Sequence, residues 1–142
     1  MSHSSHRSIR LALLALASAA CARDTPTAPA TRLAFGEWGG DRAQVVASDS
    51  VTEVTYGCTA GEFAGSITLD ANGRFSVNGT FNPYLFPVAR AASMPAQLSG
   101  QVLGNTLTFA VAVNDTIAKQ VLSLGPSVVV LGRPADIVVC PV

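Results

Sequence analysis

Few side chains in this chain can do covalent chemistry. The cysteines are Cys21, Cys58 and Cys140, and both histidines, His3 and His6, fall within the first ten residues. Beyond them there is no imidazole. The rest of the chain therefore lacks the general base of Ser-His-Asp and Cys-His catalysis, and the ligand that most zinc and copper sites use. No Walker loop or dinucleotide fingerprint is present, and no cofactor is expected. What remains is carboxylate: Glu37, Asp41, Asp49, Glu53, Glu62, Asp70, Asp115 and Asp136. Most stand at turns, where aspartate is a structural choice. Glu53 and Glu62 are the pair an acid–base hydrolysis would use. Solvated strand-edge charges account for them more simply, because unpaired acids are rarely buried. No catalytic or metal-binding residue is assigned, and the chain is read as non-enzymatic. Two acidic groups sharing one cleft would argue the other way.

The N-terminus explains one of the cysteines. Met1 to Arg10 is polar and carries Arg7 and Arg10, and Leu11 to Ala17 is apolar. Ser18-Ala19-Ala20 follows, directly before Cys21. A basic start, a short apolar run and small residues at a cleavage zone describe a secretory signal peptide over residues 1–20. The apolar run is about half of what a bilayer span needs. Ala19-Ala20-Cys21 resembles a bacterial lipobox, which implies acylation of Cys21, although Ser18 stands where that pattern has Leu. Ordinary cleavage near Ala20, leaving a soluble secreted protein with a free Cys21 thiol, is the alternative. The Pro/Thr/Ala composition of Ala22 to Thr31 favours the lipid anchor. Such a segment buries no core and serves as a tether, over residues 21–31, between membrane and domain.

With Cys21 acylated, Cys58 and Cys140 are left to pair in an oxidising compartment. Each sits in an apolar alternating run, so both can point inward. Their bridge would close a loop of about eighty residues, worth about 4 kcal/mol in the chain-entropy model. Two buried free thiols are the alternative.

Residues 32–142 hold one domain. Nearly half of the whole chain is apolar and little of it is charged, with a formal net charge of zero. That supports a packed core and excludes a basic nucleic-acid surface. The organising stretch is Ser66 to Phe81. Ile67 and Leu69, then Phe75, Val77 and Phe81, alternate with polar residues at the period of a half-buried strand. Asp70-Ala71-Asn72-Gly73 between them is turn chemistry. The pattern predicts a hairpin of Glu62–Leu69 with Arg74–Phe81.

Further strands are expected over Leu33–Trp38, Arg42–Ala47 and Val51–Cys58. Pro95–Leu103 and Thr106–Val113 should pair across Gly104-Asn105, a turn signal. Ile117–Leu124, Val128–Leu131 and Asp136–Val142 complete the set. Turns are expected at Gly39-Gly40-Asp41, Thr59-Ala60-Gly61 and Asn114-Asp115, and Gly125-Pro126 should break a strand. Turn signals every eight to twelve residues argue an all-β antiparallel meander closing into a small barrel or a sandwich. Asn82 to Met94 reads as a long apolar loop. Its Tyr84, Leu85, Phe86 and Val88 are candidate contacts for a ligand or partner, or a cap on the core.

Gly36-x-Trp38 resembles the first strand of lipocalin-like barrels, in which the Trp plugs the barrel bottom; a Trp packed in any β core would look the same. The domain as a whole resembles an uncharacterised family of small exported bacterial proteins. The resemblance rests on Trp38-Gly39-Gly40, Tyr56 to Gly61, Leu69 to Phe81, Pro95-Ala96 with Ser99-Gly100, and Cys140. Members often carry a His where this chain has Ala60, and a charged loop where Asn82–Met94 is apolar. The family carries no known activity, so it implies architecture and address alone. The resulting expectation is a membrane-anchored domain of the bacterial cell envelope. It binds a small apolar ligand or another envelope protein if its interior is hollow. A structural or interaction module is expected if side chains fill the interior.

Overall fold

A computed structural model of the chain describes residues 32–83, 92–136 and 140. Eight strands follow in order: β1 (Gly36–Gly40), β2 (Ala43–Ala47), β3 (Val51–Tyr56), β4 (Thr59–Ala64), β5 (Arg74–Asn82), β6 (Met94–Leu103), β7 (Thr106–Asp115) and β8 (Gln120–Leu131). Each pairs antiparallel with the next, and β8 returns to β1, so the sheet closes into an up-and-down barrel. Of the two expected architectures the barrel is the one formed. In a closed barrel inward and outward positions alternate along each strand. On β7, Leu107, Phe109, Val111 and Val113 are buried while Thr108 and Asn114 are exposed.

Several boundaries differ from the sequence expectation. Gly39 and Gly40 belong to β1, and the turn lies at Asp41-Arg42. Leu33 to Phe35 precede the strand. Thr59, Ala60 and Gly61 open β4, with the turn at Gly57-Cys58. In both cases glycine is present for close approach to a neighbouring backbone, since a Cβ at Gly40 or Gly61 would collide with the carbonyl of Val128 or Thr80. Gly125-Pro126 does not end a strand. β8 runs through it, with the irregularity absorbed as a register shift opposite Phe109 and Val111. Ile117 to Lys119 form a turn, which Asp115 at the end of β7 caps by accepting from the Ile117 and Ala118 amides at 2.9 and 2.8 Å. The described part of Asp136–Val142 is in no strand.

The expected hairpin is the largest correction. The turn forms as its chemistry dictates: Asp70 Oδ1 accepts from the Asn72 and Arg74 amides, both at 2.8 Å, and Gly73 has φ 71°. The flanks do not pair as a hairpin. β4 stops at Ala64, and its Ala60–Phe63 pair with Gly79–Asn82 of β5. Ile67 and Leu69 turn away to meet the N-terminal segment, where the Leu33 amide donates to the Ile67 carbonyl at 2.8 Å and Arg32 bridges Thr68. Leu33, Ile67 and Leu69 are buried in the same core as the barrel side chains. They close the end of the barrel where β1 begins and β8 ends.

Candidate functional site: the outer groove and the barrel interior

The interior is built from aromatic rings on glycines. Gly61 faces Phe81, Gly79 faces Phe63, and Gly100 faces Phe75, each pair directly opposite across neighbouring strands. A Cβ on any of the three glycines would strike the facing ring. Each ring therefore lies along the inner wall, over the glycine of the neighbouring strand. With Trp38, Phe109 and the aliphatic residues of β2, β3, β7 and β8 they form one contiguous buried cluster. Trp38 is buried on β1, and its indole Nε1 donates to the Ala34 carbonyl at 3.0 Å. It holds the N-terminal segment against the barrel end.

Two buried polar side chains of the wall had no sequence signal separating them from their neighbours. Thr52 points inward from β3 and is fully buried, and among the described residues its hydroxyl has no hydrogen-bond partner. Asn82 is buried at the end of β5. Both types occur throughout the exposed strand positions, so only the folded register shows that Thr52 turns inward and that Asn82, on the outer face with Thr80, is covered at the groove.

Outside, a groove of about 410 Å³ runs over β3, β4 and β5. Its lining includes Glu53, Thr55, Ala60, Glu62, Thr80, Asn82 and Ser93. Glu53 and Glu62 are directly opposed across β3 and β4, so the two carboxylates lie on one face and share one cleft. Both are exposed. Like charges in this position repel. General acid catalysis would require one carboxyl held protonated by burial or a neighbour. The groove supplies an open wall with threonine, alanine and serine around the pair.

Cys58 and Cys140 are joined by a disulfide, with their Cα atoms 5.6 Å apart. Cys58 lies in the turn between β3 and β4, so the bridge ties that turn to the chain beyond β8. Cys21 and the candidate contacts Tyr84, Leu85, Phe86 and Val88 lie outside the described residues. Asn82 and Ser93, which flank that loop, both line the groove, so the groove reaches the base of the loop. Among the described residues no cluster of three or more His, Cys, Asp or Glu side chains is placed to hold a metal ion.

Comparison of the chain with family models, curated proteins and solved structures finds no match to any of them. The functional reading is carried by the residues themselves.

Proposed function

We propose that the chain is a non-catalytic β-barrel of the bacterial cell envelope that binds another envelope protein through its outer surface. The observation that carries this reading is the single buried cluster in which Trp38, Phe63, Phe75, Phe81 and Phe109 pack with the aliphatic residues of the wall. An eight-stranded barrel has room either for its own side chains or for one small ligand, and here this contiguous cluster of side chains takes the space. That favours a partner over an internal apolar ligand. The outer groove at Glu53 and Glu62 is the contact surface. The address is supported by the leader over residues 1–20, by Cys21 as the acylated residue, and by the tether after it.

A photo-crosslinking residue at Thr80, in the groove, should yield one defined protein adduct in the native envelope, and the same residue at Thr108 on the far wall should not. Cys21→Ser should move the protein from the membrane to the soluble fraction. A stoichiometric apolar molecule co-purifying with the barrel, without a groove adduct, would replace this reading with the small-ligand one. An unchanged membrane fraction for Cys21→Ser would remove the lipid anchor.

The shared cleft of Glu53 and Glu62 favours one second reading, hydrolysis by a carboxylate pair. It requires turnover of a glycoside panel that is lost in both Glu53→Gln and Glu62→Gln.

A further inference from the structure

The barrel closes on a thin seam. β7 and β8 pair along nearly their whole lengths, from Thr106/Val130 to Asp115/Gln120. β8 and β1 pair only at Trp38/Leu131, Gly39/Val130 and Gly40/Val129. The chain does not leave the barrel after β8. It turns at Gly132, whose amide donates to the Glu37 carbonyl at 2.8 Å, and doubles back over the outside of β1. Arg133, Pro134 and Ala135 lie flat on Gly39, so close that a Cβ there would strike their backbones. The Asp136 amide donates to the Gly40 carbonyl at 3.1 Å, and Arg133 pairs with Asp136 at 3.5 Å within the strap. Cys140 is then bonded to Cys58, in the turn between β3 and β4. The covalent path thus starts on β8, crosses the seam and β1, and is fastened on the far side of β2. Both cysteines are partly exposed, so the bridge is open to exchange.

We propose that the Cys58–Cys140 disulfide is a redox-released clasp on this seam. A dithiol reductant opens it in two exchanges. One thiolate of the dithiol attacks a bridge sulfur, breaking the Cys58–Cys140 bond and forming a mixed disulfide. The second thiol of the reductant then displaces the remaining cysteine. The reductant leaves as its own disulfide, having given up two electrons and two protons, and Cys58 and Cys140 end as thiols. Without the bridge the described part of the strap, residues 132–136, is held by backbone hydrogen bonds and one exposed ion pair, which contribute little in water. Its release uncovers Gly39 and Gly40 and loosens the shortest pairing in the barrel. The long wall of β5, β6 and β7 has no part in the clasp and stays folded, as expected for local opening of the least supported unit.

Trp38 reports on the seam directly, because it pairs with Leu131 and is the only tryptophan in the chain. The full oxidised chain is treated with dithiothreitol and followed by tryptophan emission, acrylamide quenching and amide hydrogen exchange. Reduction should shift the emission to longer wavelength and raise quenching. Exchange should speed up by about tenfold or more at Trp38–Gly40 and Val129–Leu131, with much smaller changes in β5 to β7. Reoxidation should reverse all three effects. The double variant Cys58→Ser/Cys140→Ser should show the reduced signature and ignore the reductant. The proposal is overturned if reduction leaves Trp38 and the seam amides unchanged. It is also overturned if protection falls together in all strands, or if the double variant keeps the oxidised signature.

Discussion

Phe63 on β4 lies directly across from Gly79 on β5, and the edge of its ring stands 2.6 Å from where a Cβ on Gly79 would be. The glycine is there because the ring needs its place. In most strand interiors glycine is a weakness, and alanine would be better by roughly 0.5–1 kcal/mol. Here the sign should reverse. Gly79→Ala forces Phe63 off its seat and presses on the Glu62 carbonyl, and should cost about 1–3 kcal/mol, the range for overpacking. Urea unfolding of the two proteins measures it. A variant as stable as the parent would mean that the interior has slack, and would reopen the internal-ligand reading.

Thr52 makes the opposite case. Its hydroxyl is fully buried and without a partner among the described residues. Such a group keeps its desolvation penalty and gains nothing back. Thr52→Val retains the shape and the β-branching, and should raise stability by about 1 kcal/mol with an unchanged denaturant slope. A loss of stability would show that the hydroxyl is satisfied in solution, for example by a buried water.

Asp70 tests the turn that leads into β5. Its carboxylate holds the Asn72 and Arg74 amides in place. Asp70→Ala should cost about 1–2 kcal/mol, a charge-assisted pair discounted for exposure. Asp70→Asn keeps an acceptor oxygen and should recover much of that loss. Equal loss in both variants would assign the effect to charge rather than to the turn.

Glu53 and Glu62 oppose each other with like charge. Added salt should therefore stabilise the parent slightly by screening them. Glu62→Lys turns repulsion into attraction, should gain on the order of 0.5 kcal/mol, and should reverse the salt dependence. If the groove is the partner surface, the same substitution should abolish the crosslink from Thr80. A variant that is more stable and still crosslinks would place the partner elsewhere.

Alternation along the chain was enough to assign faces. Leu107, Phe109, Val111 and Val113 were read as one apolar stripe and are all buried, and Ile67, Leu69, Phe75 and Phe81 are buried as their pattern implied. Local turn chemistry was equally legible at Gly104-Asn105, where Leu103 pairs with Thr106 across the two residues. The expected joining of Cys58 to Cys140 formed, although the two cysteines lie outside the strands and half-exposed rather than inward on them. These are properties of short stretches, set by side-chain period, backbone freedom and covalent arithmetic. Partnership is another matter, because a face does not name what it packs against. Ile67 and Leu69 were as apolar as a strand of the expected hairpin requires, yet they pair with the N-terminal segment and close the barrel end. The groove arose the same way: Glu53 and Glu62 share a cleft because the turn between them falls at Gly57-Cys58, which makes them cross-strand partners. Register decided that, and the register of the neighbouring strand pairs likewise sets Phe63, Phe75 and Phe81 opposite glycines, a placement that no single strand's sequence contains.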